Sequence, residues 1–274
     1  MKRLHNGKAF LVGAERVSFD YHEPHDVWIN IDQCPNLKVI GCNMTSVEHL
    51  PLAECERRGI KVISLAPPRN KETEEFLSTI SSTAEHTIGL MIALMRNYKS
   101  AFDMPFKNRE EYRGHTLRGK TLGIIGGHGR IGFQLAKIAE AMGMVVNIYE
   151  KDSPETILWV LLKNSDVVSI NIPLAGNEGF FTKEMFKQMK PTASFINTSR
   201  SGVIEKGALL WALENKVIHS AAVDFIDDEA LLVYNSQHDN LLLTNHLGGC
   251  TFEDMQKTED FIMQKIDTYL QTNV

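Results

Sequence analysis

Four glycines lie within a stretch of seven residues, at Gly126, Gly127, Gly129 and Gly132. The apolar run 121–125 before them predicts a buried strand, and apolar residues at helical spacing follow them. Glycines between a strand and a helix let the chain turn tightly and let a pyrophosphate approach the backbone. The free N–H groups and the positive dipole end of the helix would hold the phosphates. The stretch therefore predicts a dinucleotide-binding turn. The alternative interpretation is a glycine-rich turn in some other α/β protein.

An acidic residue, Glu150, directly follows the predicted strand 145–149 and lies eighteen residues after Gly132. A carboxylate there can accept hydrogen bonds from both ribose hydroxyls of NAD, and it would repel the 2′-phosphate of NADP. The spacing therefore predicts NAD as the cofactor. The predicted cofactor contacts from the loop and the helix start are Gly127, His128, Gly129, Arg130, Ile131 and Gly132.

Composition excludes several classes of partner. The chain has 274 residues with 34 acidic and 29 basic side chains and no basic block, which argues against nucleic acid. Its most apolar stretch, 88–95, is too short to span a membrane, and its start is too polar for a secretory signal. The four cysteines form no CxxC pair, so we expect a reduced, cytoplasmic protein. The His-Glu-Pro-His segment 22–25 is expected to be a solvated loop, and no metal site is predicted.

Predicted strands and helices alternate along most of the chain, which is typical of an α/β fold with doubly wound parallel sheets. The predicted strands are 9–13, 37–40, 61–65, 121–125, 145–149, 167–172, 193–198, 219–223 and 241–244. The predicted helices, besides the one after the glycines, are 52–58, 83–97, 155–163, 183–189, 205–215 and 251–270. A polar stretch at 69–75 suggests a boundary. We expect one domain from 1–80 with 249–274, and a second from 81–248.

The predicted helix 83–97 is apolar nearly all round, and Ser82 with Glu85 matches a capping box at its start. A helix of this kind is buried on more than one side, so we expect it between two domains or two subunits. His86 lies within it, and a structural role is favoured over a catalytic one.

Polar residues stand at or just beyond the ends of three predicted strands. Arg200 follows the strand 193–198, Asp224 and Glu229 follow the strand 219–223, and His246 follows the strand 241–244. Ligands of doubly wound sheets bind outside the carboxyl ends of the strands, so these residues are candidates for a binding or catalytic site.

Five ordered segments carry a specific resemblance: STAEHTIGLMIALMRN, GKTLGIIGGHGRIG, INTSRSGV, AAVDFIDDE and TNHLGG. Over roughly residues 37–270 the chain resembles the NAD-dependent D-2-hydroxyacid dehydrogenases. The resemblance implies two Rossmann-like domains with a cleft between them, a homodimer, and a small 2-hydroxy or 2-keto acid as substrate. It also adds Thr198 and Asp224 to the cofactor contacts. Because some relatives act as corepressors, a non-catalytic NAD(H)-sensing protein is the alternative.

The resemblance further implies a catalytic trio of Arg200, Glu229 and His246. A guanidinium fork holds a substrate carboxylate bidentately. An imidazole takes the hydroxyl proton as hydride leaves, or returns it in reduction. A carboxylate beside the imidazole orients the ring and favours its charged form.

The chain also departs from the family pattern. The glycine loop has one residue more than usual, so either the loop is longer or its first glycine is Gly126. The connection 151–166 has room for one crossover only, which predicts that strand 145–149 lies at the sheet edge and leaves the adenine end of the cofactor open. Compared with that pattern, we expect the part before Ala9 to be shorter by about one strand and one helix. The predicted substrate-binding residues are Asn43, Met44, Thr45 and Ser46, with Ser46 in place of a usual glycine.

Overall fold

The computed structural model describes residues 2–3, 9–12, 19–23, 26–29, 31, 36–47, 50–103, 108–225 and 228–273. The chain divides into two compact units. The smaller unit is made of Met1–Thr79 with Thr251–Val274, and the larger unit is Ile80–Cys250. No helix within the described ranges is long and apolar enough to cross a membrane.

The strands, in chain order, are β1 (Lys2–Arg3), β2 (Ala9–Val12), β3 (Phe19–Glu23), β4 (Asp26–Ile29), β5 (Val39–Cys42), β6 (Lys61–Ser64), β7 (Thr121–Ile125), β8 (Val145–Tyr149), β9 (Val167–Ile170), β10 (Ser194–Asn197), β11 (Ser220–Val223) and β12 (Leu241–Leu243). The helices are α1 (Leu52–Arg57), α2 (Lys71–Leu77), α3 (Ser82–Met95), α4 (Tyr98–Asp103), α5 (Arg130–Ala141), α6 (Glu155–Asn164), α7 (Lys183–Gln188), α8 (Ala208–Glu214), α9 (Glu229–Gln237) and α10 (Phe252–Asn273). Short 3-10 turns lie at Arg109–Tyr112 and Ser201–Val203.

The larger unit holds a six-stranded sheet in the order β12-β11-β10-β9-β7-β8, with all neighbouring strands parallel. Successive strand residues point to opposite faces, so each face has its own core. On one face Leu122 and Ile124 pack with residues of α3 and α5. On the other face Ile125 and Phe195 pack with residues of α6, α7 and α8. Helices thus cover both faces, which confirms the predicted doubly wound α/β fold for this unit.

β8 lies at one edge of this sheet and pairs with β7. The segment between β8 and β9 contains α6, which carries the chain across β7 to the position of β9 on its far side. The predicted edge position of strand 145–149 is therefore confirmed. The strand order reverses between β7 and β9, and in open α/β sheets such a reversal marks the place where ligands bind.

The smaller unit holds a sheet in the order β1-β2-β5-β6, in which only β5 and β6 run parallel. This sheet is mixed, in contrast to the parallel sheet expected here. Parallel neighbours need a long, usually helical, crossover, and the described residues before β5 contain no α-helix. The helix α10 packs on β5 and β6 with Ile262 and Ile266 fully buried, which explains why this unit combines the two ends of the chain.

The stretch 69–75, which suggested a boundary, overlaps α2, and Asn70 caps this helix by accepting a hydrogen bond from the Thr73 N–H at 2.9 Å. Two other local predictions were wrong. The helix α3 begins at Ser82, so Ser82 is not its cap; Ser81 precedes it and donates to Glu85 Oε1 at 2.5 Å. Residues 22–23, expected in a loop, belong to β3, and residues 24–25 lie outside the described residues.

The described cysteines carry no disulfide. Cys42 and Cys55 are buried in the smaller unit and Cys250 is exposed, while Cys34 lies outside the described residues. Burial raises the pKa of the Cys42 thiol, which favours the uncharged form. Cys42 and Cys55 are packing residues, as expected, whereas Cys250 is not buried.

Candidate functional site

The turn between β7 and α5 opens at Gly126, which has a φ of +85°. A Cβ on Gly132, in the first turn of α5, would lie 2.2 Å from the Gly126 carbonyl oxygen and 2.7 Å from Gly127 Cα. Only glycine at position 132 allows this close contact between helix and turn. Of the two alternatives for the loop, this geometry favours the one in which Gly126 is the first glycine, since the turn starts there and Gly132 packs against it.

Glu150 directly follows β8 and contacts the same loop. Its Oε1 accepts a hydrogen bond from the His128 N–H at 2.5 Å, and His128 Nδ1 lies 3.9 Å from that oxygen. The Glu150 side chain is 27% exposed and that of His128 is 76% exposed, so both are accessible to a ligand. The structure thus brings the predicted ribose acceptor and the glycine loop together at the carboxyl edge of β7 and β8.

The carboxyl end of β10 is shaped by Asn197, a fully buried residue. Its Oδ1 accepts hydrogen bonds from the Ser199 N–H at 2.9 Å and from the Ser199 hydroxyl at 2.7 Å, and its Nδ2 donates to the Arg200 carbonyl at 2.9 Å. Arg200 is half-buried, and its Nη1 donates to the Ser199 carbonyl at 2.9 Å. The turn therefore fixes the backbone from which the guanidinium extends.

Asp224 directly follows β11 and is only 1% exposed. Its Oδ1 accepts from the Thr244 hydroxyl and from the Leu247 N–H, both at 2.7 Å, and its Oδ2 accepts from the Gly248 N–H at 2.7 Å. His86 Nε2 lies 3.4 Å from Oδ1. Burial alone disfavours the charged carboxylate, but these hydrogen bonds outweigh it and lower the pKa of Asp224.

His246 follows β12 within the loop that Asp224 holds. It is exposed and has a φ of 55°, a left-handed conformation that is uncommon for residues other than glycine. Such backbone strain concentrates at functional sites, where surrounding contacts maintain it. The strand order places β10, β11 and β12 side by side, so Arg200, Asp224 and His246 come from three neighbouring strand ends.

Glu229 is the exposed first residue of α9, and its neighbour Asp228 caps the helix by accepting from the Ala230 N–H at 2.9 Å. The residues 226–227 between Asp224 and this helix lie outside the described residues. Glu229 also borders an open groove of about 1150 Å³ between α8 and α9. That groove extends to Lys216 and Asn240, before the starts of β11 and β12, so it is not the site at the carboxyl edge.

The predicted substrate loop lies in the smaller unit, directly after β5. Asn43, Thr45 and Ser46 are partly buried there, and the Cys42 thiol donates to the Ser46 carbonyl at 3.8 Å. Met44 packs against the core of that unit, which gives its side chain a structural role.

Sequence patterns missed the polar contacts that α3 makes with the strand ends. Thr87 Oγ1 lies 2.9 Å from Thr198 Oγ1, and His86 Nε2 lies 3.2 Å from Thr244 Oγ1. The only available signal was that these polar residues interrupt an otherwise apolar helix.

A parallel sheet whose order reverses beside a glycine turn, with an acid at the end of the next strand, defines a Rossmann-type dinucleotide-binding domain. A protein-family model described as "D-isomer specific 2-hydroxyacid dehydrogenase, NAD binding domain" matches residues 88–248. The chain belongs to the D-isomer specific 2-hydroxyacid dehydrogenase family. The family and the cofactor predicted from the sequence, NAD, are thereby confirmed.

Relatives with named activities are similar over most of this chain. It is 33% identical to the D-3-phosphoglycerate dehydrogenase of Bacillus subtilis over 80% of its own length, and it spans only 42% of that enzyme. It is 31% identical to the glyoxylate reductase of Thermofilum pendens, covering 86% of this chain and 73% of that one. Among solved structures, the apo form of D-lactate dehydrogenase from Escherichia coli matches with a TM-score of 0.73 and 26% identity, covering 87% of this chain and 77% of that one.

Proposed function

We propose that this protein is an NAD-dependent oxidoreductase that interconverts a small D-2-hydroxy acid and its 2-keto acid. The observation that carries the proposal is the adjacency of β10, β11 and β12, which sets Arg200, Asp224 and His246 on neighbouring strand ends. The glycine turn lies at the same edge of the same sheet, beyond β9. Membership of the family supports the reaction class.

When bound, NAD would accept the hydride from the hydroxy acid. The chain would supply the guanidinium that binds the carboxylate and the imidazole that transfers the proton. Arg200 holds the substrate carboxylate through its guanidinium fork. His246 takes the proton of the substrate hydroxyl, or returns it to the keto oxygen in reduction. Glu229 is the carboxylate that we assign to orient the His246 ring.

The cofactor site is formed by the loop, the start of α5 and Glu150. The N–H groups of Gly129, Arg130 and Ile131 stand at the positive end of the α5 dipole and would hold the pyrophosphate. Gly127 and Gly132 would allow its close approach, and Thr198, directly after β10, would contact the nicotinamide end. Because β8 is an edge strand, the adenine is expected to be more open to water than in family members that carry a further strand there.

We assign the smaller unit to the substrate, with its loop Asn43–Ser46 as the contact to the acid group. We also propose a cytoplasmic homodimer. The resemblance to the family supports the dimer. The apolar residues of α3 give no support, because Ile88, Met91 and Leu94 are already buried within the single chain and need no second subunit to cover them.

The test is NADH consumption with glyoxylate, hydroxypyruvate and phosphohydroxypyruvate as candidate substrates. His246→Ala is expected to lower kcat by about a hundredfold or more with NADH affinity unchanged, the usual contribution of a positioned acid or base. Arg200→Ala is expected to raise KM and to lower kcat as well. His219→Ala is the matched control, because His219 is also exposed but precedes β11 at the opposite edge of the sheet.

Unchanged kinetics in both the His246 and the Arg200 variants would contradict the assigned roles. NADH binding without reduction of any of the three keto acids would instead favour the alternative, an NAD(H)-sensing protein without catalysis.

A further inference from the structure

The outer side of β8 carries backbone groups that point away from the sheet. Among the described residues, β8 pairs with β7 alone, and the Val145 N–H donates to the Lys120 carbonyl at 2.9 Å. Backbone groups of successive strand residues point to alternate sides, so those of Asn147 face β7 as well. The N–H and carbonyl groups of Val146 and Ile148 therefore point outward, where a further strand could bind them.

This edge of the sheet is also unprotected in its sequence. Free edges usually carry a lysine, a proline or a bulge that prevents pairing with another chain. The sequence of β8 is VVNIY, without a charge or a proline, and its register with β7 is regular. Its first residue, Val145, is an exposed apolar side chain. The strand is therefore open to pairing.

The strand β8 is complementary to a second copy of itself. When two copies run antiparallel around Asn147, Val146 lies opposite Ile148 of the partner subunit, and each such pair exchanges two hydrogen bonds. Val145 lies opposite Tyr149 of the partner subunit, and aromatic residues pair favourably with β-branched ones. The two Asn147 side chains meet on the axis. Among the described residues the Asn147 amide has no hydrogen-bond partner, and two such amides can donate to each other.

The helices on the two faces of β8 fit the same arrangement. The helix α6 packs on β8 and β7 on one face of the sheet, and α5 packs on them on the other face. Strands are about 4.8 Å apart, so helices centred over β7 and β8 in each copy would lie about 10 Å apart across the axis. Helices in contact pack at about 8–10 Å. The helices would therefore add to the area that the strands bury.

Two apolar residues of α6, Ile157 and Val160, are exposed on the side of this edge. They lie one turn apart and point away from Trp159, which packs into the core that α6 shares with α7. Because α7 connects β9 with β10, the side of α6 away from α7 is the side of β8. A second copy of α6 would cover both residues.

The charges at the two ends of β8 match as well. Arg118 packs beside Gly143, just before β8, and the exposed Glu140 ends the turn that leads there. Lys151 and Asp152 are exposed shortly after the carboxyl end of β8. None of these four charged side chains has an ion pair with a described residue. In the antiparallel arrangement the amino end of one copy meets the carboxyl end of the other, so each charge can meet one of opposite sign.

We propose that β8 is the surface through which two copies of this chain pair, antiparallel around Asn147, so that one sheet continues across both copies. The inference rests on the homodimer of the proposed function and gives that dimer its surface. The paired residues end before Glu150, so the cofactor site stays as described. The pairing needs no substrate, and it can fail while the enzymatic activity stands.

The first test is hydrogen exchange in the full chain at micromolar and at several hundred micromolar concentration, with the mass measured by sedimentation. The amides of Val146 and Ile148 are expected to exchange about tenfold slower or more in the dimer, since each gains a hydrogen bond. The amides of Val145 and Asn147 are the internal control, because they face β7 and should be slow in either state.

Two results of this experiment would overturn the proposal. A dimer by mass whose Val146 and Ile148 amides stay fast would keep the homodimer but remove β8 as its surface. A single-chain mass at both concentrations would contradict the pairing and the homodimer together. Reduction of the keto acids, measured separately, would still decide the enzymatic function.

The second test exchanges charges on the axis. Asn147→Asp and Asn147→Lys each place like charges opposite one another and remove the amide pair, so each alone should raise the dissociation constant of the dimer about tenfold or more. An equimolar mixture should pair more tightly than either variant alone, since opposite charges then meet. Asn215→Asp is the matched control, because Asn215 is exposed at the end of α8, which packs against α7 and α9. A mixture no tighter than the single variants would refute pairing around Asn147.

A change in α6 keeps the inference testable if the Asn147 variants lose stability. Val160 is 58% exposed, so Val160→Glu should leave the Tm of the chain unchanged. Two carboxylates close together near the axis should weaken the dimer about fivefold or more. Val233→Glu, at an exposed valine of α9, is the matched control and should leave the dissociation constant unchanged. Unchanged dimerisation in Val160→Glu would refute the contact between the two copies of α6.

Discussion

Replacing Gly132 by alanine is the sharpest test of the cofactor loop. The added Cβ would lie 2.2 Å from the Gly126 carbonyl oxygen, 2.7 Å from Gly127 Cα and 3.0 Å from the Gly126 carbonyl carbon. All three neighbours are backbone atoms, so no side chain can rotate away. An ordinary contact between carbon and oxygen is about 3.3–3.6 Å, and the start of α5 must therefore move away from the turn by about 1 Å.

The expected loss of stability is the difference between two effects. Overpacking costs about 1–3 kcal/mol, and the rigid backbone neighbours place this site at the upper end of that range. Alanine is better than glycine in a helix by about 1 kcal/mol. The net loss is about 2 kcal/mol, which lowers the Tm of a domain of this size by about 4–8 °C. The displacement also misaligns N–H donors to the pyrophosphate, and one lost hydrogen bond to a charged group weakens NADH binding about tenfold or more.

Thermal unfolding and calorimetric titration with NADH measure the two effects separately. Gly89→Ala is the matched control, since Gly89 is an exposed glycine within α3 and a Cβ there meets nothing within 4 Å. It should gain about 1 kcal/mol from helix propensity and leave NADH binding unchanged. If Gly132→Ala bound NADH as the parent does and were stabilised as much as Gly89→Ala, the close contact between helix and turn would be refuted.

Three further outcomes are expected. Glu150→Gln should reduce the preference for NADH over NADPH by about fivefold or more. The Glu150 carboxylate and the 2′-phosphate of NADPH would repel each other, and two charges about 4 Å apart in water interact by about 1 kcal/mol. Tighter binding of NADPH than of NADH by the parent chain, measured by calorimetry, would contradict this. Lys99→Met should lower the free energy of unfolding by about 2–4 kcal/mol, because the three N–H donors of Lys99 Nζ are shared among four oxygens at 2.6–3.2 Å around the end of α9. Lys71→Met, at a 91% exposed side chain, is the control and should be neutral. As the pH is lowered below about 4, the free energy of unfolding should decrease. The pKa of Asp224 is lower in the folded chain than in the unfolded chain, so the unfolded chain takes up the proton first. If Asp224→Asn lost stability with acid just as the parent does, this reasoning would be contradicted.

Most of the larger unit was predictable because its strands and helices carry clear periodic patterns. The edge position of β8 followed from counting residues, since the connection to β9 has room only for α6. The alternation of strands and helices also predicted that Arg200, Asp224 and His246 lie at the carboxyl ends of strands.

Short helices were missed because few of their residues are buried. In α2 only Thr73 and Leu77 are buried, and in α9 only Leu231 and Tyr234. Two buried residues at helical spacing do not make a readable pattern, especially among charged neighbours. The cap of Asn70, which fixes the start of α2, was the signal that the interpretation as a boundary overlooked.

The hydrogen bonds of Asp224 could not be predicted because its partners are distant in sequence. Thr244 and Gly248 lie one helix and one strand further along the chain, and His86 lies before the glycine turn. Likewise, the sequence did not show which glycine is the first of the loop. The backbone of the folded chain favours Gly126, through its φ and its contact with Gly132.

The edge position of β8 also has a consequence for the timing of turnover. Differences in affinity between related complexes lie mostly in the dissociation rate, so a cofactor whose adenine was supported from one side only would leave sooner. In many enzymes, departure of the product is the slowest event. Here the departure of NAD should be fast enough that hydride transfer itself limits the rate. NADH carrying deuterium at the transferred position should then slow kcat as much as kcat/KM.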